Sequence, residues 1–250
     1  MMKRIVLFVA LLACHHGNSL FAGDFTENLI ARWTFNKPAD ASLIDDIKKI
    51  PIEVRALPGS STAPQINKDG TITLGSEQFL VATGLNSDTF PELRKGVTIW
   101  VRLRVDKEDT KHPTFLYGLM AKPRGDWADG VLLLNLRGKE QPNPGMQFFG
   151  RYEGGKELAQ GDKLFPDHLG EFFNSALTFD GSKEGITLNI NDQEVTNKKP
   201  GASALVPFTN LSLGRVNTGP GGATITIDEI RVYSAPVSAD WVKEIKPITQ

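Results

Sequence analysis

The chain has 250 residues, 28 Lys and Arg against 29 Asp and Glu, and a formal net charge of −1. With no cationic excess and no Lys/Arg run it lacks the electrostatic footprint of a nucleic-acid binder, and nucleic acid is not an expected partner. A single cysteine rules out an intrachain disulfide, so the folded body must rest on its apolar core.

Residues 1–22 have the three-part form of an export signal: basic Lys3-Arg4, the apolar run Ile5 to Ala13, and a short polar stretch ending near Ala22. That run is shorter than the about 20 residues needed to cross a bilayer, so the expected product is exported: periplasmic, cell-surface or secreted. Two exits compete. Leu11-Leu12-Ala13-Cys14 resembles a bacterial lipobox, whose cysteine would carry a lipid and give the only expected membrane attachment. Leu20-Phe21-Ala22 offers an ordinary cleavage site that would discard Cys14 with the leader.

From residue 24 to 250 no linker or repeat interrupts the chain, and one domain is expected. Short runs of alternating β-formers recur between Gly, Pro, Asn and Asp clusters, the pattern of a sandwich or barrel. Strands are expected over Leu29–Phe35, Ile52–Ala56, Ile72–Leu74, Phe79–Ala82, Val97–Val105, Phe115–Ala121, Val131–Leu136, Met146–Tyr152, Phe172–Phe179, Ile186–Ile190, Leu211–Gly214 and Ala223–Tyr233. Gly181 and Asn191-Asp192 mark tight turns of two consecutive hairpins, since these residues tolerate positive φ. Longer loops are expected over Leu57–Asp69, Arg137–Gly145 and Asn217–Gly222. The one helix expected, Ala239–Lys246, starts at the N-cap candidate Ser238 with Asp240 in its first turn.

Several of these segments, in this order, resemble the LamG-like, concanavalin A-like jelly-roll family. They are the opening strand Leu29-Ile30-Ala31-Arg32-Trp33-Thr34-Phe35-Asn36, the acidic turn Ile44-Asp45-Asp46 and the tryptophan strand Val97-Thr98-Ile99-Trp100-Val101-Arg102. The hairpin Ala176-Leu177-Thr178-Phe179-Asp180-Gly181 with Leu188-Asn189-Ile190-Asn191-Asp192 follows, then Leu211-Ser212-Leu213-Gly214-Arg215 and Ile227-Asp228-Glu229-Ile230-Arg231-Val232-Tyr233. One departure is Glu171-Phe172-Phe173-Asn174, where the family often has Trp-His before the hairpin. The resemblance implies an all-β, two-sheet antiparallel jelly-roll sandwich with a short C-terminal helix. It also implies a domain that binds glycans or proteins, sometimes through calcium; fold alone does not decide between these.

Trp33 and Trp100 lie on apolar strands at period two and are expected between the sheets, and Trp241 is expected to pack on the sandwich edge. Trp127 differs, because it lies in the polar, turn-rich loop Lys122–Gly130 with no core strand to enter. A sugar ring stacks on an indole while neighbouring charged groups bond its hydroxyls, so Trp127, Arg124, Asp126 and Asp129 form the expected carbohydrate contact. On the last strand, alternation puts Asp228 on the apolar side with Ile230 and Val232, and puts Glu229 with Arg231 as a surface pair. A carboxylate on the apolar side needs hydrogen bonds or a cation. The family resemblance suggests that Asp228 meets Asp45 and Asp46 around Ca²⁺, which takes roughly six to eight oxygens. The competing account has Asp228 accepting backbone N–H bonds without metal.

The alternative to a polysaccharide- or envelope-protein-binding domain is a polysaccharide-processing hydrolase or lyase. Retaining glycosidases need carboxylates about 5–5.5 Å apart, and alternation sends Asp228 and Glu229 to opposite faces. His112 and His168 are the only histidines beyond the leader. One could serve as base with Tyr117 or Tyr152 as acid. No Gly-x-Ser-x-Gly elbow or His-Glu-x-x-His helix occurs, and Gly219-Pro220-Gly221-Gly222 reads as a turn. A purely structural envelope subunit is the third reading.

Overall fold

The computed structural model describes residues 27–37, 43–61, 63, 65–123, 125, 127–154, 158–160, 169–215 and 222–245. The leader, Cys14, Arg124, Asp126 and His168 lie outside the described residues, as does the side chain of Trp127.

Fifteen strands are described: β1 (Leu29–Thr34), β2 (Glu53–Ala56), β3 (Gln65–Ile66), β4 (Ile72–Leu74), β5 (Gln78–Ala82), β6 (Gly96–Lys107), β7 (Thr114–Met120), β8 (Gly130–Arg137), β9 (Gly145–Arg151), β10 (Leu158–Gln160), β11 (Phe173–Asp180), β12 (Gly185–Ile190), β13 (Gln193–Lys198), β14 (Asn210–Gly214) and β15 (Thr224–Tyr233). They form two antiparallel sheets. The eight-stranded sheet runs β13-β12-β11-β6-β15-β4-β3, with β1 also on β15. The seven-stranded sheet runs β10-β9-β8-β7-β14-β5-β2. The opening and closing strands are therefore neighbours, with Trp33 opposite Ile230.

Strand period creates the core. Along β6, Val97, Ile99, Val101, Leu103 and Val105 face the other sheet, while Thr98, Trp100, Arg102 and Arg104 face outward. Leu177, Phe179, Leu188 and Ile227 join them from the eight-stranded sheet, and Leu80, Leu132, Leu134, Phe148 and Leu213 close the interior from the other. Each such buried side chain is worth about 1.5–3 kcal/mol, so a stack of this size needs no disulfide. Across it, the Tyr117 hydroxyl meets Ser175 Oγ at 2.6 Å, joining β7 to β11.

Trp33 sits in this interior, where its indole N–H donates to the Ile50 carbonyl at 3.1 Å. Trp100 does not. It lies on the outer face with Leu29, Ala176, Tyr233, Val242 and Ile245. The cover is α1 (Ala239–Glu244), capped as expected by the Ser238 hydroxyl, which accepts from Trp241 N at 3.2 Å. Trp241 packs edge-to-face on Tyr233, centroids 4.6 Å apart. Period two shows which residues share a face, but a covered outer face is as apolar as an inner one. That ambiguity misplaced Trp100.

Three smaller differences have local causes. The expected loop Leu57–Asp69 contains β3, whose two residues are too few to show a period. The short strand β10 likewise carries too little pattern to be foreseen. In the β11–β12 turn, positive φ falls on Glu184 (52°), whereas Gly181 is required because a Cβ there would stand 2.1 Å from the Ser203 carbonyl oxygen.

Candidate functional site

The expected calcium residues are not gathered. Asp45 is fully buried, and its two oxygens accept backbone N–H bonds from Arg32, Ile47, Lys48 and Ile50 at 2.5–3.4 Å. These bonds close the 45–50 turn. Asp46 instead ion-pairs with Arg32 at 3.4 Å and with Lys37. Asp228 accepts from Arg102 Nε at 2.9 Å. Among the described residues no group of three His, Cys, Asp or Glu side chains stands close enough to hold a metal ion.

The reason lies in a β-bulge. Opposite β6, Ile227 pairs with Leu103 and Glu229 with Arg102, leaving Asp228 as the extra residue. A bulge shifts alternation by one and re-aims the side chain. Asp228 thus leaves the apolar side for a partly exposed position (28 %) beside Arg102. Burial holds its carboxyl above the usual range; Arg102 opposes this, and Glu229 and Asp69 add to it. Glu229 and Arg231, expected at the surface, form a buried pair at 2.6 Å with side chains 2 % and 8 % exposed. The Arg231 guanidinium lies 5.1 Å from the Trp100 ring centre. Burial pulls Arg231 down, but the Glu229 carboxylate more than offsets it and the net shift is upward.

The loop expected to hold sugar joins β7 to β8 and contains a short 3-10 turn, Trp127–Asp129. Asp129 is paired with Lys122 at 2.8 Å. The Arg151 guanidinium donates to the Ala128 carbonyl, tying the loop to β9. Of the four expected contact residues, the structure therefore places Asp129 in full and the Trp127 backbone.

The residues considered for acid–base work are dispersed. Tyr117 is fully buried, and burial raises its hydroxyl despite the bond to Ser175. Tyr152, also in the core, is pushed up to about 12 by burial. Neither ring can reach a solvent-borne substrate. His112 Nδ1 faces both Asp109 oxygens at 3.2 Å. Asp109 also accepts from the backbone of Lys111, His112 and Gly222 at 2.9–3.2 Å, and together these bonds hold its carboxyl below the usual range against the opposing effect of burial.

A polar surface with its own hydrogen-bonded floor lies elsewhere, on the outer face of the eight-stranded sheet, where β3, β4, β15 and the end of β6 meet. A cleft of about 500 Å³ is lined by Gln65, Asn67, Lys68, Asp69, Thr73, Arg104, Asp106, Thr224 and Thr226. A hydrogen-bonded ladder forms its floor. Arg104 Nε donates to Asp106 Oδ1 at 2.5 Å, and Thr226 Oγ1 donates to Asp106 Oδ2 at 2.6 Å. Thr226 meets Thr73 at 2.8 Å, and the Asn67 amide donates to Thr73 and Thr71 at 2.9 and 2.8 Å. A continuous ladder of this kind, part-buried along most of its length, fixes its members' orientation.

Beside the cleft, Phe172 lies half-buried under two guanidinium groups, Arg104 at 4.9 Å and Arg102 at 5.3 Å from the ring centre. Arg102 also approaches Asn174 Oδ1 at 3.5 Å. A second bulge explains Asp106: Thr224 pairs with Lys107 and Ile225 with Val105, leaving Asp106 as the extra residue on β6. None of Arg102, Arg104, Asp106 or Phe172 was among the expected site residues. The signal was the period-two run Arg102, Arg104, Asp106 on an otherwise apolar strand, extending past a covered tryptophan.

No family model and no curated protein sequence matches the chain. Solved structures do match in shape. The binding domain of botulinum neurotoxin DC in complex with SialylT superposes with a TM-score of 0.63 at 11 % identity, over 87 % of this chain and 50 % of that one. The same domain in complex with rat synaptotagmin II gives 0.64 at 12 % identity, over 86 % and 50 %. The botulinum neurotoxin serotype G binding domain gives 0.61 at 12 %, over 86 % and 50 %. The likeness is one of fold. The chain spans about half the length of these structures.

Proposed function

We propose that this chain is an exported, non-catalytic LamG-like binding domain whose ligand is a glycan. The observation that carries this reading is the open cleft on the eight-stranded sheet, where amides, hydroxyls and charged groups are held ready by their own ladder. Sugar hydroxyls both donate and accept, and a pre-oriented set of such partners binds them with little ordering cost. The burial of Tyr117 and Tyr152, away from His112, favours binding over acid–base chemistry. Proteins of similar fold bind SialylT or rat synaptotagmin II, or depend on two ganglioside molecules for cell entry, and those ligands belong to chains about twice as long as the shared part.

A partner protein at the envelope is the second reading, favoured by the synaptotagmin complex. The competing location for a sugar is the Trp127 loop at the other end of the sandwich. A glycan array probed with wild type, Asn67→Ala and Trp127→Ala separates these readings. Loss of signal in Asn67→Ala alone supports the cleft; loss in Trp127→Ala alone moves the site to the loop. No bound glycan, with one envelope protein retained, favours the second reading.

A further inference from the structure

We infer that the cleft takes an acidic saccharide, with its carboxylate or sulfate seated on the outward end of Arg104 and Arg102 one pleat along. This rests on the binding function proposed above. The two bulges carry the argument. Each places a carboxylate as the extra residue of its strand, and each carboxylate binds the Nε edge of one arginine: Asp106 holds Arg104, and Asp228 holds Arg102. Both guanidinium carbons lie over one ring, Phe172. With Nε bonded and the ring beneath, the terminal nitrogens remain. Those of Arg104 have no hydrogen-bond partner among the described residues, and Arg102 adds only the long contact to Asn174.

A guanidinium fork with its inner nitrogen already satisfied presents a pair of N–H donors that matches a carboxylate or sulfate bidentately. Both guanidinium groups stand over one ring, so one incoming oxyanion is attracted to both. Lys68, exposed on the cleft rim, makes no ion pair among the described residues and contributes a third cation. The volume of about 500 Å³ is much larger than one oxyanion needs, and the remaining lining of Gln65, Asn67, Asp69 and Thr224 suits hydroxyls. A neutral sugar is served less well. Its usual platform is an aromatic face; among the described residues no aromatic side chain lines the cleft, and the two arginines lie over the Phe172 ring.

The test is calorimetric titration of the full chain with oligogalacturonate, sulfated dextran and uncharged dextran, using wild type, Arg104→Lys, Asp106→Asn and Lys198→Ala. Arg104→Lys keeps the charge and removes the fork. It should weaken acidic-sugar binding at least about tenfold, the loss of one charge-assisted hydrogen bond. Asp106→Asn should weaken it less, by releasing the Nε anchor. Lys198→Ala, on the far edge strand, should leave it unchanged, and uncharged dextran should not bind. The oligogalacturonate and sulfated arms show which acid is preferred. Retained affinity in Arg104→Lys, or equal loss in Lys198→Ala, overturns the assignment. Binding of uncharged dextran alone overturns the acidic ligand but leaves the binding function standing, whereas no binding in any arm overturns both. Arg104 is partly exposed, and an unchanged thermal midpoint confirms that a loss is not unfolding.

Discussion

Two arginine–carboxylate–aromatic sets stand side by side on the outer face of the same strand pair. In one, Glu229 and Arg231 form a pair closed from solvent, with the Arg231 guanidinium over the Trp100 ring that α1 covers. In the other, Asp228 with Arg102 and Asp106 with Arg104 lie around Phe172, each pair about a quarter to a third exposed. The chemistry is the same and the register is adjacent, since Arg231 faces Trp100 and Glu229 faces Arg102 across the ladder. What differs is exposure. The first set is closed from solvent around a tryptophan packed under α1, whereas the second stays partly open.

The covered set should therefore carry stability and the open set should not. Arg231→Ala strands the Glu229 carboxylate in the interior and should cost about 3–5 kcal/mol in urea unfolding; a cost below about 1 kcal/mol, the range of surface pairs, would break the distinction. Val242→Ala removes buried contact between α1 and the sheet and should cost about 1.5 kcal/mol, with the same equilibrium measurement as check. Arg104→Ala should change stability by less than about 1 kcal/mol, because its pair is wet on one side.

Acidity sharpens the contrast further. Asp228 binds its proton more tightly in the fold than in the unfolded chain, so stability falls as pH rises from the unfolded value of about 3.9 through the raised folded one. Asp228→Asn should flatten that part of the urea-midpoint profile and be no less stable than wild type at neutral pH. A variant that loses stability most at neutral pH would show that the Arg102 pair outweighs burial. The smallest effect concerns calcium. With the Asp45 oxygens spent on four backbone amides, a chelator should leave the thermal midpoint where it was, and a clear downward shift would reveal a bound ion.

The long strands were legible because period two runs through them: β6 shows it from Val97 to Val105, and β15 shows it in two runs, one on each side of Asp228. The site was less legible, and for a physical reason. A bulge is a property of pairing between distant strands, and one extra residue exchanges faces for everything beside it. Asp228 was accordingly expected on the apolar side, whereas Glu229 keeps its outward side with Arg231 and is buried there. Phe172 looked like a structural departure from the family pattern, because its value as a guanidinium platform depends on β6 lying next to β11. Arg102, Arg104 and Asp106 were visible as an outward-facing charged run, but nothing in the sequence separated them from an ordinary solvated face.

The central claim, that the uncovered end of this face is the recognition surface, is tested most directly by amide chemical-shift mapping of the ¹⁵N-labelled chain titrated with oligogalacturonate. The account predicts saturable shifts at Asn67, Thr73, Arg104 and Thr226 with the α1 region unmoved. Shifts confined to the Lys122–Gly130 loop, or spread evenly over exposed lysines, would contradict it.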